Sequence, residues 1–217
     1  MSFPTPVEPV DRPLRVAWSD TLGGLPVEAD VLGVLHAFRG RVEDDLGWEV
    51  VDAQPALTAA DECFHTLRAW TFSTDALLSS LDPDERAQLK ETVQLELDEG
   101  DAMSAAQVSQ GLRQLKSLWR ETVDFFDSYD LLIAPVTQVS PFPIELEYPT
   151  VVAGIEMKRY TEWMMSCCRI TVTGMPAMSL PAGFTEAGLP VGAQLVGGPW
   201  ADAEILRAAK TLEALGG

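Results

Sequence analysis

The stretch Thr171–Pro199, TVTGMPAMSLPAGFTEAGLPVGAQLVGGP, constrains the fold more than any other part of the chain. Ala177, Met178, Ser179 and Leu180 run into Pro181, Gly183 to Pro190 carries turn chemistry, and Val191 to Val196 is apolar until Gly197-Gly198-Pro199 stops it. Two strands joined by a turn are expected. Short runs with little strict alternation suit strands covered on both faces, so both are placed near the middle of a sheet.

The rest reads as material packed around that pair. Residues 1–13 hold Pro4, Pro6, Pro9 and Pro13 and form an extended lead-in or linker. Leu14–Ser19 is a strand. Val31, Leu35, Phe38, Val42 and Leu46 fall on one face of a helix, Gly47 closes it, and Trp48–Ala53 is a second strand, reached most simply by a right-handed parallel crossover. Ala59–Leu81 is helical. Asp82-Pro83-Asp84-Glu85 is a helix start with a cap, a proline at the first position and a reciprocal glutamate, and the helix is expected to run to Glu99. Val93 and Leu97 form its buried stripe, Glu91, Glu96, Asp98, Glu99 and Asp101 its solvated face, and Gly100 its end.

Ser104 opens the most periodic segment, with Val108, Leu112, Leu115, Trp119, Val123 and Phe126 on one stripe. Leu131–Val136 is a strand, and the proline-rich 137–149 that follows is where α/β sheets place ligand loops. Helices are expected over Met157–Arg169 and Ala201–Leu215. The sum is an α/β fold: a mixed sheet of about five strands with helices on both faces, occupying residues 14–217.

A net charge of −18 disfavours nucleic acid and anionic membrane as partners. No apolar run is long enough to span a bilayer and no signal peptide precedes the first strand, so the cytoplasm is the expected location. Cys63, Cys167 and Cys168 are an odd set with no disulfide spacing and read as buried thiols. Neither His36 nor His65 has metal-ligand spacing to a second group, so no metal or cofactor is expected. His36 reads as a surface residue and His65 as a boundary residue. The chain has no GxSxG, no SxxK and no glycine-rich phosphate loop, and no catalytic residue is assigned.

Thr173-Gly174-Met175-Pro176-Ala177, Leu180-Pro181-Ala182-Gly183-Phe184 and Gly188-Leu189-Pro190-Val191-Gly192-Ala193-Gln194-Leu195-Val196-Gly197 together resemble the C-terminal signature of the amidase signature family of amide hydrolases. Asp130–Thr137 resembles the strand and loop those enzymes carry before it. The resemblance implies hydrolysis by a serine, activated by a lysine through a second serine, with backbone amides holding the oxyanion. Those groups come from a Gly/Ser-rich stretch that has no counterpart in these residues. What the resemblance implies here is a C-terminal half that starts in mid-fold, shapes the sheet and acyl pocket, and is inactive alone.

On that reading the pocket candidates are Thr137, Trp163, Thr173 and Gly174, and a small-molecule amide is the substrate once an N-terminal catalytic half completes the site. The alternative is a degenerate, non-catalytic module kept for binding or assembly. An unpaired strand edge would favour a homo-oligomer.

Overall fold

The computed structural model describes residues 7–215. In chain order the elements are β1 (Arg15–Trp18), α1 (Ala29–Asp44), β2 (Glu49–Asp52), α2 (Ala60–Thr74), α3 (Pro83–Arg86), α4 (Glu91–Asp101), α5 (Ala105–Phe125), β3 (Leu131–Pro135), β4 (Val151–Val152), β5 (Ile155–Glu156), α6 (Met165–Thr171), β6 (Ala177–Phe184), β7 (Pro190–Val196) and α7 (Asp202–Glu213). The main sheet has five strands in the order β2-β1-β3-β7-β6. β1 is parallel to both β2 and β3, whereas β7 is antiparallel to β3 and to β6. The mixed α/β sheet expected from the sequence is the one observed.

Period-two alternation sends the side chains of β1, β3 and β7 to two separate cores. Val16, Trp18, Leu131, Ile133, Ala193 and Leu195 meet α1 and α7 on one face. Ala17, Leu132, Ala134 and Val196 meet α2, α5 and α6 on the other. On the first face the sequence stripe is the buried stripe: Val31, Leu35, Phe38 and Val42 are all enclosed, and Leu46 packs at the margin.

Four expectations are corrected. β6 is an edge strand, not a central one: Ala177, Ser179 and Pro181 are exposed while Leu180 and Ala182 point into the core. Pro181 fits that position, because a proline in a strand lacks a ladder donor and is tolerated at an edge or bulge, and a register shift lies between Pro181 and Gly183.

The helix begun at Asp82 does have its capping box, with Asp82 Oδ1 accepting from Asp84 N and Glu85 N, but it ends at Arg86 and a new helix starts at Glu91. Gln94 Nε2 donates to Leu89 O at 2.7 Å and holds the break. Gly100 does not end that second helix but lies inside it, where a Cβ would sit 2.2 Å from Ala69 O. Here glycine is what lets α2 and α4 touch. Finally, the α-helix expected from Met157 does not form over 157–164, where the chain makes only a short 3₁₀ helix, Glu162–Met164. Glu162 Oε2 accepts from Lys158 N and Arg159 N and ties the segment into a turn, so α6 begins only at Met165.

The described part of the lead-in is non-helical and is pinned to the body: Val10 N donates to Thr211 Oγ1, and Arg12 forms a paired bridge to Asp130. Among the described residues no helix is long and apolar enough to cross a membrane.

Candidate functional site

β1 and β3 run parallel, so their C-terminal ends open at the same end of the sheet, where loops can gather around a ligand. The segment leaving β3 there, Val136–Ser140, is fixed from both sides. Gln138 is fully buried: its Nε2 donates to Pro26 O at 3.0 Å, its O accepts from Glu28 N at 2.9 Å, and its Oε1 accepts from Ser166 N at 3.3 Å. Ser140 Oγ donates to Asp30 Oδ2 at 2.7 Å, and Ser140 N donates to Glu28 Oε2 at 3.2 Å. Thr137 Oγ1 donates to Val139 O at 3.0 Å.

Trp163 joins this loop through the bond from Gln138 N to Trp163 O at 3.3 Å. Its ring meets Phe142 edge-on at 5.2 Å and Tyr160 at 6.4 Å, and Tyr160 in turn meets Tyr148 at 5.9 Å. These aromatics flank a small core of Val139, Val152 and Met157, so the proline-rich loop has packing of its own. The Trp163 indole N–H is buried without a partner among the described residues. A buried donor left unbonded is costly.

Thr173 and Gly174 lie elsewhere. Ala177 at the head of β6 pairs with Val196, and Val196 pairs with Leu132 near the start of β3. Thr173 and Gly174 therefore sit at the opposite end of the sheet from Thr137 and Trp163, with α6, about 10 Å long, running between. Thr173 is fully buried, and its Oγ1 donates to Ile170 O at 2.6 Å and accepts from Met175 N. Gly174 holds φ +70° and backs onto Trp119, with its Cβ position 3.4 Å from that ring. The structure thus joins two of the four pocket candidates and separates the other two.

Gln138 was not legible as a site residue, since nothing distinguishes one glutamine after a strand until Pro26, Glu28 and Ser166 are seen to converge on it. Glu96, expected on a solvated face, is also buried, with Oε1 accepting from Arg68 Nε at 3.2 Å. Its neighbours on α4 are paired as well: Asp98 and Asp101 with Arg86, and Glu99 with Arg159.

The two imidazoles differ. His36 Nε2 lies 2.9 Å from Asp20 Oδ2 on the surface. Burial works against the Asp20 carboxylate, but hydrogen bonds from His36 and Trp18 outweigh it and hold the group below its ordinary range. His65 is held below its ordinary range, first by burial and then by the charge of Arg159. Burial pushes the Cys63 thiol up to about 11, so it is a packing group and not a thiolate. Ser166 Oγ donates to Val136 O at 2.7 Å. Among the described residues no three His, Cys, Asp or Glu gather as a metal site.

The Amidase family model matches residues 1–206. An acylamidase of Rhodococcus erythropolis is 27% identical over 208 residues, which is 93% of this chain and 42% of that protein. A glutamyl-tRNA(Gln) amidotransferase subunit of Dehalococcoides mccartyi is 39% identical over 92 residues, 41% of this chain and 17% of that one. Among solved structures, a bacterial aryl acylamidase of the amidase signature family superposes with TM-score 0.81 at 21% identity, covering 94% of this chain and 44% of its own. The 6-aminohexanoate cyclic dimer hydrolase superposes with TM-score 0.79 at 18% identity, covering 99% and 49%. At these identities the structural likeness carries the fold alone. The chain spans less than half the length of each of these relatives.

Proposed function

The chain belongs to the amidase family, and from that premise we propose that it is the scaffold half of an enzyme that hydrolyses the carbon-nitrogen bond of small amides. The observation that carries the proposal is the pairing of a match along nearly the whole chain with coverage of under half of each relative. The nucleophilic serine, the bridging serine and the lysine come, on this reading, from a segment outside these residues. This chain supplies the sheet and part of the acyl pocket, and is inactive by itself.

Thr137 and Trp163 are the proposed pocket residues, at the end of the sheet where the β3 loop opens. Thr173 and Gly174 are assigned to packing at the other end. Two features support a missing neighbour. Among the described residues β6 has no partner on its outer side and presents Ala177, Ser179 and Pro181 unburied, and Leu112 and Trp119 of α5 stand 45% exposed. Such a surface promotes pairing with a second chain, either the missing segment or another copy. We place the protein in the cytoplasm.

The experiment is complementation. The N-terminal segment of an amidase-family relative, bearing its two serines and lysine, is co-expressed with this chain and ammonia release from propionamide and benzamide is followed. Activity that requires both pieces supports the reading. A stable complex that remains inactive while the relative's own two halves regain activity in the same format speaks against it.

A further inference from the structure

α5 carries two parallel rows of side chains beside its enclosed face. Leu112, Leu115, Trp119, Val123 and Phe126 form the first, at spacings of three, four, four and three, and Leu112 and Trp119 are exposed. Arg113, Lys116, Arg120, Asp124 and Asp127 repeat that spacing one position later. They form a second row next to the first, with Asp127 in the turn just past the helix, and all five are exposed. A groove of about 330 Å³ between α2 and α5, lined by Phe64, Leu67, Phe72 and Leu115 among others, widens the apolar strip.

Both rows have the same spacing read from either end, centred on Trp119 and Arg120. Turned end to end, the apolar row falls on itself, while in the charged row Arg113 meets Asp127 and Lys116 meets Asp124. Arg120, at the centre, is the one charge that meets its own kind. Most other cations of this acidic chain are held in ion pairs, but among the described residues these five charges form none, and Arg113 donates only to Ser109 Oγ. Asp124 also stands in the last turn of α5, where the helix dipole favours a cation and the helix itself supplies none.

We propose that this face of α5 pairs with the same face of a second copy of the chain, the two helices antiparallel about a two-fold axis near Trp119 and Arg120. Such an axis makes every contact twice. Each copy carries a net charge of −18, so two copies repel, and an apolar row without a local charge match would not hold them. One helix pair about 30 Å long is a small interface, for which a Kd on the order of 10 µM is expected. The assignment does not rest on the amidase reading, and it leaves the outer edge of β6 free.

The test is sedimentation velocity on the purified chain from about 1 to about 300 µM, a range that brackets the expected Kd. A monomer-dimer equilibrium is expected. Lys116→Glu and Asp124→Lys are each expected to weaken the dimer at least about tenfold, since each turns two attractive pairs into two repulsive ones. Mixed in equal amounts, the two variants are expected to pair with each other about as tightly as the wild type, because each supplies the charge the other lacks. Arg120→Ser removes the like-charge contact at the axis and is expected to tighten the dimer. All three positions are exposed, and circular dichroism checks that each variant folds. A monomer at every concentration, a dimer indifferent to both reversals, or reversed variants that fail to recover on mixing would overturn the proposal and leave the α5 row to the missing segment or to another partner. None of these readouts depends on turnover, so failure here leaves the amidase reading to its own complementation test.

Discussion

The two faces of the sheet are covered to different degrees. On one, α1 and α7 bury their stripes against β1, β3, β7 and β6, where Leu180 and Ala182 join the core. On the other, α2, α5 and α6 cover β1, β3 and β7 but leave β6 bare, and α5 turns Gly111, Leu118 and Thr122 inward while Leu112 and Trp119, two of the six residues of its apolar stripe, are exposed. Helices on both faces are amphipathic by sequence. The difference teaches that an apolar stripe in the sequence does not by itself say which of its residues the fold encloses.

The contrast can be broken first where packing is closed. Phe38→Ala empties a fully enclosed site on the α1 face, and urea denaturation is expected to show a loss of about 3–5 kcal/mol. Next comes the α2–α4 contact, where Gly100→Ala drives a methyl into Ala69 O. A loss of about 1–3 kcal/mol is expected, and an unchanged midpoint would mean the helices are not in contact.

A smaller effect is expected from pH. His65 titrates below its ordinary 6.5 in the folded state, chiefly through burial, so the unfolded chain takes up its proton first as the pH drops. The contribution is complete above about 6.5 and is lost progressively below it. Denaturation curves at pH 7.5 and 5.5 are expected to separate in the wild type and to draw together in His65→Leu. The smallest effect belongs to the open face: Leu112→Ser is expected to change stability by under about 1 kcal/mol while reducing self-association in sedimentation velocity. A large stability loss there would mean that the stripe is already covered.

What was legible followed from local rules. The β6–β7 pair announced itself through Gly183, Gly188, Pro190 and Gly197, α1 through a stripe at strict spacing, α3 through the capping box at Asp82, and α5 through its opening Ser104 and its periodicity. What was missed depends on partners distant in sequence. Gly100 looks like a helix terminator until α2 is laid against it, and Glu96 looks solvated until Arg68, 28 positions earlier, closes over it. Thr173 follows Trp163 closely in sequence, yet α6 carries it to the far end of the sheet. Even β6 held its own clue in Pro181, overruled by the apolar run around it.

The claim beneath all of this is that the chain frames an amide-cleaving centre without supplying the atoms that cleave. Ammonia release from benzamide by the purified chain alone tests it most directly. The expected rate equals that of buffer, and turnover that survives purification to homogeneity and disappears in Ser166→Ala would contradict it.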